Sequence, residues 1–349
     1  MSSNPFFDLM NALSSLDVDK FQSFKILTTK YKKIEQNNVG ILTDILIPYN
    51  LLKGPNNQKC PVIVRIHGGF LVTGSSRYAP WFSTWILEYA LENNAIIVSP
   101  NYRLLPEANG KDILDDMNTF WDWLHAGGAS QCLKEAGHLN IIPDIGRILL
   151  LGESAGGYLA IQLALSYPSL VRGVVAAYPM LDLKAPFYKE SFSKPIVGVP
   201  NMPNMLIDEH IGFKSGPAPP TITAADPPER LKLAFSMVQN GRFLEFFGHD
   251  NPELFPMERV HNIAMSGKQK LPPIFIFHGE QDSAVPVDGS RQFVSLLRDV
   301  YPEGEIQFHV QDGDHGFDVD ASLKTPWLAN GLQMISKSWL KSPVDLSHL

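Results

Sequence analysis

Cysteine is nearly absent from this chain. Cys60 and Cys132 are the only two among 349 residues, and they lie far apart. Two such thiols make no disulfide framework, so the expected compartment is a reducing one, the cytoplasm. Lysine and arginine form no extended basic tract, and 29 basic against 36 acidic residues leave a formal charge of −7. Nucleic acid and anionic membrane are therefore not expected as partners. No apolar run approaches the roughly 20 residues needed to span a bilayer. Met1 to Lys20 also lacks the basic start and apolar core of a secretory signal. No set of His, Cys and Asp clusters with metal-ligand spacing, so neither a metal nor another cofactor is expected. Repeats and low-complexity tracts are missing too.

What is present describes an ordinary globular chain, 44% hydrophobic and 19% charged. Its length suits one large α/β domain with an insertion. From residue 40 onward, strand-like and helix-like segments alternate. Ile41–Pro48 alternates as an early strand, Val62–Ile66 is a short β-branched run, and Ala95–Ser99 reads as a buried strand. Ile148–Leu151, Gly173–Tyr178, Ile274–Phe277 and Gln307–Val310 continue the series. Helical patterns fall at Trp81–Glu92, Asp112–Leu124 and Tyr158–Ser166. Near-continuous apolar strands in β-α alternation predict a mostly parallel sheet covered by helices on both faces.

Two segments depart from this rhythm. Residues 183–271 carry Pro195, Pro200, Pro203, Pro227 and Pro228 among Met202, Met205, Phe213, Phe235, Met237, Phe243 and Phe247. So long a stretch without strand alternation reads as an inserted apolar cap, its Met and Phe residues mostly packing on one another. Residues 1–40 read as an N-terminal helical segment belonging to the cap, because Pro5, Phe6, Leu9, Met10 and Leu13 recur at helical spacing. The core is then 41–182 with 272–349.

The chemistry starts at Gly152-Glu153-Ser154-Ala155-Gly156-Gly157, directly after an apolar strand. This pattern fits G-x-S-x-G, a sharp strand-to-helix turn that holds one serine in a strained conformation between small residues. A nucleophilic serine needs a base, and the base needs a carboxylate to fix its tautomer. Downstream of Ser154, the strand Ile274–Phe277 runs into His278-Gly279-Glu280-Gln281-Asp282. The last strand leads into Asp312-Gly313-Asp314-His315-Gly316-Phe317. Asp282 and His315 are thus the expected carboxylate and base; the bland alternative for Asp282 is a cap on the helix beginning near Asp288. His278 and His67 precede glycine turns and read as loop-bracing hydrogen-bonders. After Val62–Ile66 comes His67-Gly68-Gly69-Phe70, whose N–H groups at Gly68, Gly69 and Phe70 would join Ala155 as an oxyanion hole. Phe70, Glu153 and Tyr158, beside that loop and the serine, are candidate substrate contacts.

With these pieces in order, the chain resembles the α/β-hydrolase fold, and more narrowly the hormone-sensitive-lipase-like carboxylesterases, which include the arylacetamide deacetylases. The likeness rests on His67-Gly68-Gly69-Phe70, Asn101-Tyr102-Arg103-Leu104-Leu105-Pro106-Glu107, the Ser154 motif, Asp282 and Asp314-His315-Gly316-Phe317. It covers residues 40 to 340. Phe70 stands where the family has a third glycine, Glu153 replaces the commoner Asp, and Asn101 replaces the usual Asp. The resemblance implies a serine hydrolase of a small-to-medium hydrophobic ester, with Ser154, Asp282 and His315 as its triad. A lactone, an amide or an acyl acceptor other than water would use the same groups. A small-molecule receptor on this fold is the reading from another class, but such proteins typically lack a triad member. A homodimer stays open on the sequence.

Overall fold

The computed structural model describes residues 4–16, 19–35, 38–55, 57–212, 220–265 and 270–341. Phe213 of the inserted segment lies outside them. Eight strands form one sheet: β1 (Phe24–Ile34), β2 (Val39–Pro48), β3 (Gln58–Ile66), β4 (Ile96–Pro100), β5 (Ile141–Glu153), β6 (Val171–Ala177), β7 (Ile274–Gly279) and β8 (Ile306–Gln311). Their spatial order is β1-β2-β4-β3-β5-β6-β7-β8. The β1–β2 and β2–β4 pairs are antiparallel, and every pair from β4 through β8 is parallel.

Alternation along the strands sorts their side chains into two cores. Ile45, Val62, Val64, Leu150, Val174 and Ile276 face one side, packed by helices Gly110–His125 and Ala155–Ser166. Leu46, Ile63, Leu149, Leu151, Val175, Phe275 and Phe277 face the other, packed by helices Thr84–Glu92 and Pro326–Trp339. Removing both faces from water is what drives a parallel sheet to form, and it explains why its strands read as unbroken apolar runs. Chain order reverses direction at β3, since β4 lies on one side of it and β5 on the other. Ligands collect outside the carboxyl ends of strands at such a switch point.

The N-terminal segment differs from the expectation. A helix does run from Pro5 to Ser14, with the Asn4 side chain accepting from the Phe6 N–H at 3.1 Å. Yet β1 follows it, an 11-residue edge strand. Lys25, Lys30, Lys32 and Lys33 mask its alternation, because one face of an edge strand stays in solvent and long charged side chains suit it. The inserted segment holds helices Pro186–Lys189, Met205–Gly212, Leu231–Gln239, Phe243–Phe247 and Pro256–Met265 and contributes none of the eight strands among the described residues. Met237, Phe243 and Phe247 are fully buried, as self-packing residues should be.

Candidate active site

Ser154, Asp282, His315 and the His67–Phe70 loop sit just beyond the carboxyl ends of β5, β7, β8 and β3. Parallel strands bring these four ends to one edge of the sheet. Ser154 adopts φ 57° and ψ −120°, a conformation that non-glycine residues rarely take. Its N–H donates to the Ala177 carbonyl at 2.9 Å, and its carbonyl accepts from Met180 and Tyr158. The turn tolerates this only with glycines around it. A Cβ at Gly156 would lie 1.9 Å from the Ile66 carbonyl oxygen, and one at Gly152 would lie 2.1 Å from the Gly156 carbonyl oxygen.

Asp282 is buried, and its two oxygens do different work. One accepts from the Ala284 and Val285 N–H groups at 2.9 and 2.7 Å, bracing its own loop rather than capping the following helix. The other accepts from His315 Nδ1 at 2.8 Å. His278 also approaches that oxygen through Nε2 at 3.2 Å while donating to the Val285 carbonyl at 2.8 Å, and its Nδ1 accepts from Ser290. Burial alone would raise the Asp282 carboxyl; the His315 and His278 partners overcome it and hold it well below the usual carboxylate range. Burial works against charge on His315, but Asp282 outweighs it and raises the imidazole above its ordinary value.

The His67 loop has a separate logic. Gly69, Phe70 and Leu71 all have positive φ, at 105°, 55° and 62°. A Cβ on Gly68 would lie 3.0 Å from Ser154 Cβ, so the loop runs against the serine. Among the described residues, the N–H groups of Gly69, Phe70 and Ala155 have no protein acceptor. His67 braces the loop by donating from Nδ1 to the Gly68 carbonyl at 2.8 Å and stacking on Tyr102 at 4.3 Å. Burial lowers it to about 3, so it stays neutral.

The serine, the imidazole and the glycine loop open on one cavity of about 310 Å³. Ser154, His315, Gly68, Gly69 and Phe70 line it, together with Leu9 and Leu13 of the N-terminal helix. Ile196, Val197, Leu231 and Phe235 of the inserted segment close another side. Among the described residues, Phe235 is the one Met or Phe of that segment in the lining.

Of the expected substrate contacts, Tyr158 lies off the cavity, and Glu153 reaches it with its charge already engaged. Tyr158 is buried away from the cavity lining, its hydroxyl donating to the Leu254 carbonyl at 2.9 Å. It is a packing residue of the helix behind the serine. Glu153 reaches the lining, but its carboxylate is engaged by buried Arg65 at 2.9 Å. Burial pushes the Glu153 carboxyl up, and the Arg65 charge pulls against it. Arg65 was missed by sequence reasoning, although a guanidinium inside a β-branched central strand was a signal. Asp318 and Tyr178 on the cavity wall carried no such signal. The segment Asn101–Glu107 braces the loops. Asn101 accepts from the Ser76 N–H at 2.8 Å, Arg103 pairs with Asp116, and Glu107 pairs with Arg230 at 2.7 Å.

The reversal of strand order at β3 and the strand-to-helix turn after β5 define an α/β hydrolase, and the family of that fold matches residues 63–225. Over 326 residues, 92% of this chain and 98% of the relative, the chain is 33% identical to the protein named probable carboxylesterase M8 of Phoma sp. (strain ATCC 20986 / MF5453). It therefore belongs to the hormone-sensitive-lipase-like carboxylesterases of the α/β-hydrolase fold, and it is a carboxylic ester hydrolase. A second similarity, 26% over 332 residues, is to the non-reducing polyketide synthase ascC of Acremonium egyptiacum. It covers 86% of this chain but 14% of the synthase. Among solved structures, the esterase LipW of Mycobacterium marinum shares the fold with a TM-score of 0.57 at 19% identity, covering 95% of this chain and 87% of that one. Among the described residues, no helix is long and apolar enough to cross a membrane.

Proposed function

We propose that the enzyme cleaves small-to-medium hydrophobic carboxylic esters through an acyl-enzyme on Ser154. The observation that carries this reading is the 2.8 Å bond from His315 Nδ1 to Asp282, on the cavity that also holds Ser154. With Nδ1 donating to Asp282, neutral His315 keeps Nε2 as the base that takes the Ser154 proton. Ser154 Oγ then attacks the ester carbonyl. The N–H groups of Gly69, Ala155 and either Gly68 or Phe70 hold the alkoxide, each donor being worth about 3 kcal/mol of barrier. His315 returns its proton to the leaving alcohol, then activates the water that releases the acid.

Leu9, Leu13, Ile196, Leu231 and Phe235 make the walls apolar, which favours a hydrocarbon or aromatic acyl group over a charged one. The N-terminal helix and residues 183–271 act together as the cap over this cavity. Free Cys60 and Cys132 support a reducing compartment, the cytoplasm. Similarity to a segment of a polyketide synthase favours a second reading, in which the same acyl-enzyme passes its acyl group to an acceptor other than water.

A chromogenic short-acyl ester tests the first reading. Ser154→Ala is expected to lower kcat by at least about a thousandfold. Equal, slow turnover by both proteins would remove the acyl-enzyme and favour a receptor. An added alcohol that appears in a new ester product would select transfer over hydrolysis.

A further inference from the structure

Beside the His315–Asp282 pair lies a second buried carboxylate that the reaction scheme does not use. Asp318 is 1% exposed. Its Oδ2 accepts from the Ser83 hydroxyl at 2.9 Å and from Trp85 Nε1 at 2.8 Å, and its Oδ1 accepts from the Tyr178 hydroxyl at 3.0 Å. All three donors are neutral, and among the described residues no cation pairs with it. A carboxylate buried without a counter-charge is costly. An asparagine could keep the Ser83 and Trp85 bonds on its carbonyl oxygen, its amide donating to the Tyr178 hydroxyl in place of the third bond. Hydrogen bonding alone does not demand the charge, which points to a use beyond packing.

Its surroundings supply one. Asp318 follows His315 by three residues, across Gly316 in the left-handed region at φ 81°. Tyr178, which donates to Asp318, is itself at φ 37°, and its ring stands edge-on to the His315 imidazole with centroids 4.5 Å apart at 61°. Three elements thus converge on one carboxylate: the residues at the start of the helix Thr84–Glu92, the end of β6, and the loop carrying His315.

We propose that Asp318 and Tyr178 are positioning residues for His315, the tyrosine ring fixing the imidazole's tilt and the carboxylate favouring the imidazolium that forms when Ser154 is deprotonated. This rests on the reading of His315 as the base for Ser154. The charged and titratable groups around the imidazole are Asp314 and Asp318 on its own loop, Asp282 with His278 behind it, and Tyr178. Glu153, paired with Arg65, feels the Asp318 charge, and Tyr188 of the inserted segment feels that of Asp282. Burial opposes the imidazolium, while Asp282, Asp314 and Asp318 all act to hold it.

The test is kcat and KM against pH for the wild type, Asp318→Asn, Tyr178→Phe and Ser154→Ala, using a chromogenic short-acyl ester. Rates of the three proteins that keep Ser154 are normalised to the serine that reacts with a fluorophosphonate, that of Ser154→Ala to total protein, and melting is followed in parallel. Activity needs neutral His315, so it rises with pH through the imidazole's pKa. Removing a nearby negative charge lowers that pKa, so Asp318→Asn moves the acidic limb to lower pH by about half a unit. Its kcat falls about tenfold with KM unchanged. Tyr178→Phe keeps the ring and the charge, so kcat falls several-fold with little movement of the limb. An Asp318→Asn limb and kcat equal to wild type would overturn the proposal. So would activity that falls only in step with melting, the limb unmoved. If Asp318→Asn does not fold, Tyr178→Phe decides, and an unchanged kcat overturns it. Turnover surviving in Ser154→Ala would instead break the underlying reading, whereas an inactive Ser154→Ala beside an unaltered Asp318→Asn would sink this inference alone.

Discussion

Strain at the site is concentrated in a few backbone positions. Ser154, Phe70, Leu71 and Tyr178 are non-glycine residues at positive φ, each costing on the order of 1 kcal/mol or more. They persist because surrounding bonds over-determine them. Phe70 shows what the strain achieves. At φ 55° its ring is buried against Phe235, centroids 6.4 Å apart, where a glycine would leave open space beside Ser154. Phe70→Gly should therefore relieve strain and widen the cavity. The ratio of kcat/KM for a bulky ester to that for an acetyl ester is expected to rise about tenfold or more. A ratio unchanged within twofold would remove Phe70 from the specificity wall. The His67–Phe70 loop was legible in the sequence, because glycines are required where backbones nearly touch. The roles of Glu153 and Tyr158 were not, since a motif states which residues flank the serine but not which way each side chain turns.

The way the inserted segment docks on the core depends strongly on one arginine. Arg230 precedes the helix Leu231–Gln239 at φ 62°, and that helix brings Leu231 and Phe235 to the cavity. Its guanidinium pairs with buried Glu107 at 2.7 Å and donates to the Val72 carbonyl at 2.8 Å and to the Leu105 carbonyl. Burial depresses Arg230 to about 10, still charged at neutral pH. His210, lowered by burial and then by the Arg230 charge, stays neutral and cannot replace it. Breaking such a buried pair from one side typically costs about 3–5 kcal/mol. Arg230→Met should thus lower the melting temperature, raise KM more than it lowers kcat, and speed proteolysis within 183–271. Wild-type melting together with unchanged KM would show that the segment docks without it. The existence of this segment was readable from its prolines and lost strand rhythm. Its docking was not, because a lone Arg after Pro227-Pro228-Glu229 has no periodic pattern to reveal a partner more than a hundred residues away. β1 was hidden for the opposite reason: an edge strand in contact with solvent leaves Lys25, Lys30 and Lys33 exposed along its length and loses the alternation that marks a half-buried strand.

Taken as one body, the molecule assembles chemistry from loops distant in sequence, which the parallel sheet delivers to a single edge. The order serine, aspartate, histidine and the strand-end position of each could be read directly, since that order follows from how β5, β7 and β8 succeed one another. The apolar lining from Leu9, Leu13 and Ile196 could not, because it arises only when segments outside the sheet fold over its end. The central claim is that Ser154 is the residue acylated. Mass spectrometry of the intact enzyme and of its peptides after a fluorophosphonate, and after a rapidly quenched activated ester, tests it directly. One adduct per chain is expected, on the peptide carrying Ser154, with activity lost in proportion to labelling and no adduct in Ser154→Ala. An adduct on another residue, or full ester turnover by a Ser154→Ala enzyme that takes no label, would contradict the account.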